Sequence, residues 1–180
     1  MVSEEKLIEG CLLGDRVAQR QLYEQYSSSF FALCLRYLPT RAEAEDVLIM
    51  GFTAIFEKMD TFKNEGSFEG WMKRVIVNTA ISTIRANRQH YFRGGESEEM
   101  LENAVIATSP NSTRSTIDTK DILNQIQQLS DGYRTVFNLY AIEGYSYEEI
   151  ATIMDINIGT VRSQLAKARK ILQKKLEAFI

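Results

Sequence analysis

Histidine, cysteine and proline are scarce in this chain of 180 residues, which contains 1 His, 2 Cys and 2 Pro. His90 stands in a polar stretch, and no Cys-x-x-Cys pair with metal-ligand spacing is present. We therefore predict no metal site and no cofactor. Cys11 and Cys34 occupy apolar helical positions, which is typical of buried thiols without a redox role.

Long apolar runs and phosphate-binding loops are missing as well. The longest apolar stretches, such as Phe30–Leu35, are far too short to cross a bilayer, and the acidic N-terminal segment lacks a signal-peptide pattern. The sequence has no Gly-rich phosphate loop and no nucleophile–base arrangement, and helix capping and solvation explain its scattered carboxylates. We therefore expect a cytoplasmic protein that does not insert into membranes and is not an enzyme.

Helical patterning is what the sequence does contain. With 2 Pro, 10 Gly and few alternating β-branched runs, the chain is predicted to be all-α. Ser/Thr-x-x-Glu capping boxes at Thr40 and Ser146 mark two helix starts, and Ser130 is predicted to cap a further helix. The serine run at 27–29 is a candidate position for a break in the helix predicted over 15–38.

Charge is unevenly distributed along the chain. Residues 61–93 carry 6 basic and 2 acidic side chains, and residues 133–180 carry 7 basic and 5 acidic ones. Between these blocks, residues 94–132 carry 2 basic and 7 acidic side chains. Because local patches bind phosphates whatever the average charge, the net charge of −3 does not exclude a nucleic-acid partner.

Gly, Ser, Pro and Asn are concentrated in the middle of the chain, which is typical of a linker. We therefore predict two small helical domains, over 1–93 and 118–180, joined by a flexible acidic linker over 94–117.

The C-terminal domain carries the pattern of a helix-turn-helix. Apolar residues line one face of a short helix and recur at i, i+4, i+7 and i+11 along the next; they are Ile150, Ile153 and Met154, then Val161, Leu165, Ala168 and Leu172. Asp155 stands in the turn, where a residue that tolerates the left-handed conformation is favoured. The combination predicts a helix-turn-helix that binds DNA.

The outer face of the second of these helices is basic. Residues 159–175 include 6 basic side chains and no acidic one, namely Arg162, Lys167, Arg169, Lys170, Lys174 and Lys175. Thr160, Ser163 and the helix N-terminus suit phosphate oxygens. Arg162 and Gln164 have the side-chain forks that read guanine and adenine edges. The alternative is a basic amphipathic helix that packs on a partner protein.

Aromatic residues accompany a polar loop and a basic helix in the first domain. Phe62, Phe68 and Trp71 belong to this segment. Aromatic rings beside positive charge can hold unstacked bases. The alternative is that these rings belong to the core, which is the interpretation we favour for Trp71.

Two groups of motifs, one in each domain, now point to a family. They are Ala44–Leu48, Phe52, Trp71–Arg74 and Asn78–Ala80 in the first domain, and Gly144–Ala151 and Gly159–Leu165 in the second. With both groups present, the chain resembles a bacterial RNA polymerase sigma factor of the extracytoplasmic-function (ECF) group. The resemblance implies that the protein binds core RNA polymerase, directs it to promoter DNA, assists promoter melting and is held by an inhibitory anti-sigma factor.

The resemblance also implies roles for single residues. The helix around Asp46 docks on the polymerase. In the minus-ten region, the loop that receives a flipped base contains Phe62, Lys63 and Asn64. The strand is read by Asn78 and Ser82. Phosphates are held by Lys73, Arg74 and Arg85. The residues for the minus-thirty-five duplex are Thr160, Arg162, Ser163, Gln164 and Lys167.

The chain departs from the family pattern in two places. Ile49 and Met50 stand where the family usually has a Gln-acidic pair, and exposed apolar groups there fit a polymerase interface better than open solvent. Ser82 replaces a common Asp or Asn. The main alternative function is a stand-alone helix-turn-helix transcription regulator, which binds duplex DNA tightly without polymerase.

Overall fold

The computed structural model describes residues 3–93 and 119–177, and this part of the chain contains helices and no strand. The all-α prediction is confirmed. The described residues form eight α-helices: α1 Glu4–Leu12, α2 Arg16–Tyr37, α3 Arg41–Glu57, α4 Phe68–Arg93, α5 Thr119–Gln127, α6 Asp131–Phe137, α7 Tyr147–Met154 and α8 Ile158–Glu177. None of these helices has the length and apolarity that a bilayer crossing requires. The linker predicted over 94–117 lies outside the described residues.

Backbone contacts divide the described residues into two compact units. The first lies within Met1–Leu35 and Thr40–Thr83, and the second lies within Arg36–Pro39 and Ile84–Ile180. The division falls inside α4, whereas the domain predicted over 1–93 keeps this helix whole. The predicted domain bounds therefore stay a prediction.

An aromatic core holds the first unit together. Phe30 is completely buried, and its ring centroid lies 5.6 Å from that of Tyr26 and 5.9 Å from that of Phe52. Tyr23 extends the cluster, with its ring 4.8 Å from Phe52. Rings at these separations interact favourably beyond the area that they bury. The aromatic side chains of α2 thereby fix the position of α3.

The break considered at the serine run of α2 does not occur, because the helix is continuous from Arg16 to Tyr37. Leu22, Tyr26 and Phe30 are buried at intervals of four residues on both sides of the run. Packing of this continuous face outweighs the modest helix propensity of serine.

The burial predicted for Cys11 and Cys34 is confirmed, and burial raises the pKa of the Cys11 thiol.

The helix-turn-helix has its own core in the second unit. Ile150, Val161 and Leu165 are buried, and a connected cluster contains Ile126, Leu129, Tyr133, Ala168 and Leu172. The apolar stripe predicted for the second helix of the motif therefore faces inward. The buried Arg134 guanidinium donates hydrogen bonds to the carbonyl oxygens of Gln127 (2.9 Å) and Leu129 (3.0 Å). These bonds satisfy carbonyls that the end of α5 leaves open.

A π-helical segment follows α6 over Asn138–Ile142. Sequence patterning predicts one α-helix across this stretch, but Glu143 N donates to Asn138 O at 3.0 Å, five residues back. Gly144, at φ 77°, then reverses the chain before α7. The segment places Tyr140 beside the first residue of α7, as described below.

The capping boxes at Thr40 and Ser146 are both formed, whereas the cap predicted at Ser130 is not. Ser146 Oγ accepts from Glu149 N at 3.2 Å, and Glu149 Oε2 accepts from Ser146 N at 2.8 Å. Ser130 stands at the N-cap of α6 but its side chain makes no capping hydrogen bond. Ser130 therefore occupies the N-cap position without making the side-chain hydrogen bond that a cap supplies.

Replacing Ser146 with alanine is expected to lower the free energy of unfolding by about 1 kcal/mol, because it leaves an N-terminal amide of α7 without its acceptor. Ser130→Ala is the matched control, since that serine makes no capping bond. Its expected effect is close to zero. Urea unfolding of the two variants and the parent chain measures the difference, and equal losses in both variants would contradict the assignment of the caps.

Candidate nucleic-acid interface

The turn of the helix-turn-helix depends on Asp155, which adopts the left-handed conformation at φ 55° and ψ 50°. Ile156 N donates to Ala151 O at 3.0 Å and ends α7. Asn157 Oδ1 then accepts from Thr160 N at 2.7 Å and caps α8. The helix begins at Ile158. The turn thus fixes the direction in which α8 leaves the motif.

The outer face of α8 presents most of the predicted DNA-contacting residues. Arg162, Ser163 and Lys167 are exposed, whereas Thr160 and Gln164 are half-buried. Lys175 was predicted for this face and does not belong to it. Its Nζ donates to Gln128 Oε1 at 2.6 Å, and burial lowers the pKa of its ammonium group.

Three of the polar groups at the start of α8 are already engaged or enclosed. Thr160 N is bonded to Asn157, and Ser163 Oγ donates to Thr160 O at 3.0 Å. Gln164 Oε1 is enclosed and makes no hydrogen bond to any part of the chain that the structure describes. Arg162 and Lys167 are the exposed cations of this set.

Both of these cations lie over aromatic rings. The Arg162 guanidinium carbon is 5.5 Å from the ring centroid of Tyr147, and Lys167 Nζ is 5.7 Å from that of Tyr133. Tyr147 stacks on Tyr140 with centroids 4.9 Å apart and ring planes 10° apart. The Arg169 guanidinium lies over the Tyr140 ring at 5.2 Å.

Sequence reasoning did not find Tyr140 and Tyr147. The sequence offers one indication of them: Tyr140 and Tyr147 are seven residues apart, as are Arg162 and Arg169 along α8. Residues seven apart on an α-helix share a face two turns apart. Nothing in the spacing alone shows that the two pairs meet, because that depends on the π-helical segment.

One face of α4 carries four of the eight residues predicted for the minus-ten element. Arg74, Asn78, Ser82 and Arg85 are all exposed and follow one another at intervals of four, four and three residues, which places them on one side of the helix. Lys73 does not share this face. It is half-buried and aligns with the buried Val77, one turn further along.

The predicted base-receiving loop rests on an aromatic cluster. Phe62 is half-buried, with its ring 5.1 Å from Phe68 and 5.6 Å from Trp71. Lys63 and Asn64 are exposed, and Asn64 has a left-handed φ of 57°. Trp71, which we favoured as a core residue, is only half-buried and packs within this cluster. The cluster supports the loop and leaves the polar side chains outside.

Exposed apolar side chains lie on α3. Ile49 is 60% exposed and Met50 is 52% exposed, and Asp46 is exposed one turn earlier. Both apolar residues therefore face away from the core. Isolated exposed hydrophobic residues are ordinary, but two adjacent ones at these values form a small surface that a partner protein can cover.

Comparison with known proteins adds to this geometry. The protein-family model of Sigma-70 region 2 matches residues 22–90, and that of Sigma-70, region 4 matches residues 119–172. Together they match 123 of the 180 residues. The RNA polymerase sigma-H factor of Pseudomonas aeruginosa is 28% identical, over 98% of this chain and 95% of the relative. The ECF RNA polymerase sigma-E factor of Haemophilus influenzae is also 28% identical, over 99% and 98%.

The chain belongs to the ECF group of RNA polymerase sigma factors. The family prediction is confirmed, and with it the role of such a factor in directing RNA polymerase at transcription initiation. The fold of this sigma factor is similar to that of the sigma factor RpoE from Bartonella quintana, solved in complex with the anti-sigma factor NepR. That structure has a TM-score of 0.55 and 20% identity, over 88% of this chain and 96% of the other.

Proposed function

We propose that this sigma factor reads the minus-thirty-five duplex with α8 and engages the minus-ten strand with α4 and the loop before it, while α3 binds core polymerase. The observation that carries the proposal is a helix-turn-helix whose second helix exposes Arg162 and Lys167. Each part of the assignment rests on a separate surface of the chain.

At the minus-thirty-five duplex, Arg162 is the residue for reading a base. Its guanidinium forms paired hydrogen bonds to guanine O6 and N7 in the major groove. Lys167 lies five residues further along α8 and neutralises a backbone phosphate. Thr160 and Ser163 contribute polar contacts after their present hydrogen bonds are exchanged, and Gln164 contributes one after its enclosed side chain turns outward.

At the minus-ten element, the exposed face of α4 follows the unpaired strand. Arg74 and Arg85 contact phosphates at the two ends of this face, and Asn78 and Ser82 between them contact bases. Phe62 forms the floor of the loop that receives a flipped base, with Lys63 and Asn64 at its rim. Aromatic floors with flanking cations suit unstacked bases of any sequence. Lys73 has a smaller part, because it lies beside the buried face of α4.

Polymerase binding uses Asp46, Ile49 and Met50 on α3. The apolar pair supplies area to bury, and the carboxylate supplies a charge that fixes the orientation. The protein acts by binding in the cytoplasm, without catalytic chemistry, a cofactor or membrane insertion. An anti-sigma factor is proposed as a further partner, as in the Bartonella quintana complex.

The experiment that tests this proposal is co-elution of the full chain with bacterial core RNA polymerase, followed by transcription from a randomised promoter pool. We expect a complex that initiates from a selected set of promoters with two conserved elements. Tight duplex binding by the chain alone, with no association with polymerase, would instead establish the stand-alone regulator.

Asn78→Ala is expected to impair strand opening more than duplex binding, because Asn78 lies on the α4 face proposed for the unpaired strand. The loss of one base contact is worth about 1–3 kcal/mol, which slows or weakens opening roughly 5- to 150-fold. Permanganate reactivity of minus-ten thymines measures opening in the holoenzyme. A loss of duplex binding as large as the loss of opening would contradict the assignment of Asn78 to the unpaired strand.

A further inference from the structure

We infer that Tyr147, supported by Tyr140, is a positioning residue that holds the guanidinium of Arg162 in the orientation required to read a base. The inference rests on the proposed role of α8 at the minus-thirty-five duplex. It assigns a specificity function to two tyrosines that lie outside the recognition helix.

The four side chains form a continuous stack. Arg162 lies over Tyr147 at 5.5 Å, Tyr147 stacks on Tyr140 at 4.9 Å, and Arg169 lies over Tyr140 at 5.2 Å. A cation therefore covers each end of a tyrosine pair. Arrangements of this kind, with the cation within about 6 Å of the ring, are attractive because the ring face is negative.

The tyrosine side chains are more enclosed than the arginine side chains that lie over them. Tyr147 is the first residue of α7, directly after the capping box of Ser146 and Glu149. Tyr140 lies in the π-helical segment, and Tyr145 N bonds to Leu139 O at 2.9 Å beside it. Both rings are half-buried, while Arg162 and Arg169 are exposed. The rings therefore form a fixed surface on which long, flexible side chains rest.

Stacking suits an arginine that reads a base. All five N–H donors of a guanidinium lie in its plane, so a ring against one face leaves them free for guanine O6 and N7. A free arginine side chain loses about 2 kcal/mol of rotamer entropy when it is ordered. A side chain that is already held on a ring loses less on binding. Tyr147 therefore adds to base discrimination without touching DNA.

The arrangement also distinguishes Arg162 from Lys170. Lys170 lies on the same helix and is exposed, and it is not part of the stack. Lys170 contributes a positive charge, but its ammonium group lacks the planar set of donors that a guanidinium has. The inference thus predicts that Tyr147 is coupled to Arg162 and is not coupled to Lys170.

The experiment is a double-mutant cycle in holoenzyme, with the promoter duplex recovered from the randomised pool. Tyr147→Leu removes the ring, Tyr147→Phe retains it, and each is combined with Arg162→Ala. We expect Tyr147→Leu to weaken promoter binding about two- to fivefold, the range of an exposed cation–ring contact. It should also relax preference at the base pair that Arg162→Ala affects. Tyr147→Phe should restore both, and Tyr147→Leu should add no further loss to Arg162→Ala.

Two controls separate positioning from folding. Thermal unfolding of each variant measures any loss of the motif itself, and combining Tyr147→Leu with Lys170→Ala should give additive losses. Additive losses with Arg162→Ala, or a loss that Tyr147→Phe does not restore, would overturn the inference while the role of α8 stands. If Arg162→Ala alone leaves promoter preference unchanged, the proposed role of Arg162 fails and the inference fails with it.

Discussion

Arg162→Ala is expected to reduce promoter binding by about 1–3 kcal/mol, roughly 5- to 150-fold in affinity, and to relax preference at one base pair. Arg162 is exposed on α8, and its guanidinium lies over the ring of Tyr147. Alanine would remove both of the hydrogen bonds proposed to the base and would leave the buried face of α8 intact. Binding of holoenzyme to a set of minus-thirty-five duplexes with single base changes measures the effect.

Lys170→Ala is the control for charge in this experiment. It removes one positive charge from the same helix, and its loss should be about equal on every duplex and smaller at high salt. Core polymerase binding should be unchanged in both variants. A uniform loss for Arg162→Ala as well would show that Arg162 contacts phosphate and reads no base.

The double substitution of Ile49 and Met50 by aspartate is expected to weaken binding to core polymerase by at least about 3 kcal/mol, on the order of 100-fold or more. Burying one such apolar side chain is worth about 1.5–3 kcal/mol, and a carboxylate in its place carries a desolvation cost. Because both residues are more than half exposed in the chain by itself, its stability should change little. Competition against the parent chain for a limited amount of core enzyme measures the loss.

Val17→Asp is the matched control for this surface. Val17 is 63% exposed in the same unit, on α2, so it also exchanges an exposed apolar group for a charge. It should compete for polymerase as well as the parent chain does. If the α3 double variant competes equally well, the docking surface lies elsewhere on this unit.

Most features that depend on a few neighbouring residues were predicted correctly from the sequence, and the cap at Ser130 is the exception. The capping boxes at Thr40 and Ser146 need residues only three apart, and both are formed. Asp155 adopts the left-handed turn conformation for which its side chain was singled out. In each case the physical cause lies within one turn of helix, which a sequence pattern records directly.

Features that depend on packing were predicted less well. The serines of α2 do not break the helix, because a continuous apolar face lies on the core. Lys175 appears in sequence as one of six basic residues, but it folds back onto Gln128. Lys73 and Arg74 are neighbours in sequence and lie on different sides of α4. The exposure of Ile49 and Met50 is likewise not determined by the sequence, because an apolar pair is stable both in a core and at an interface.

The π-helical segment at Asn138–Ile142 makes the position of Tyr140 sensitive to the number of residues in the segment. A π-turn holds one more residue than an α-turn, so removing a residue here would let the ordinary hydrogen-bond ladder form. The helix would become more regular, yet Tyr140, which lies inside the segment, would take a different rotation about the helix axis. Tyr140 would then leave the ring of Tyr147. Helical regularity and the position of Tyr140 thus oppose one another in this segment, so a deletion that makes the helix more regular should break the contact between Tyr140 and Tyr147.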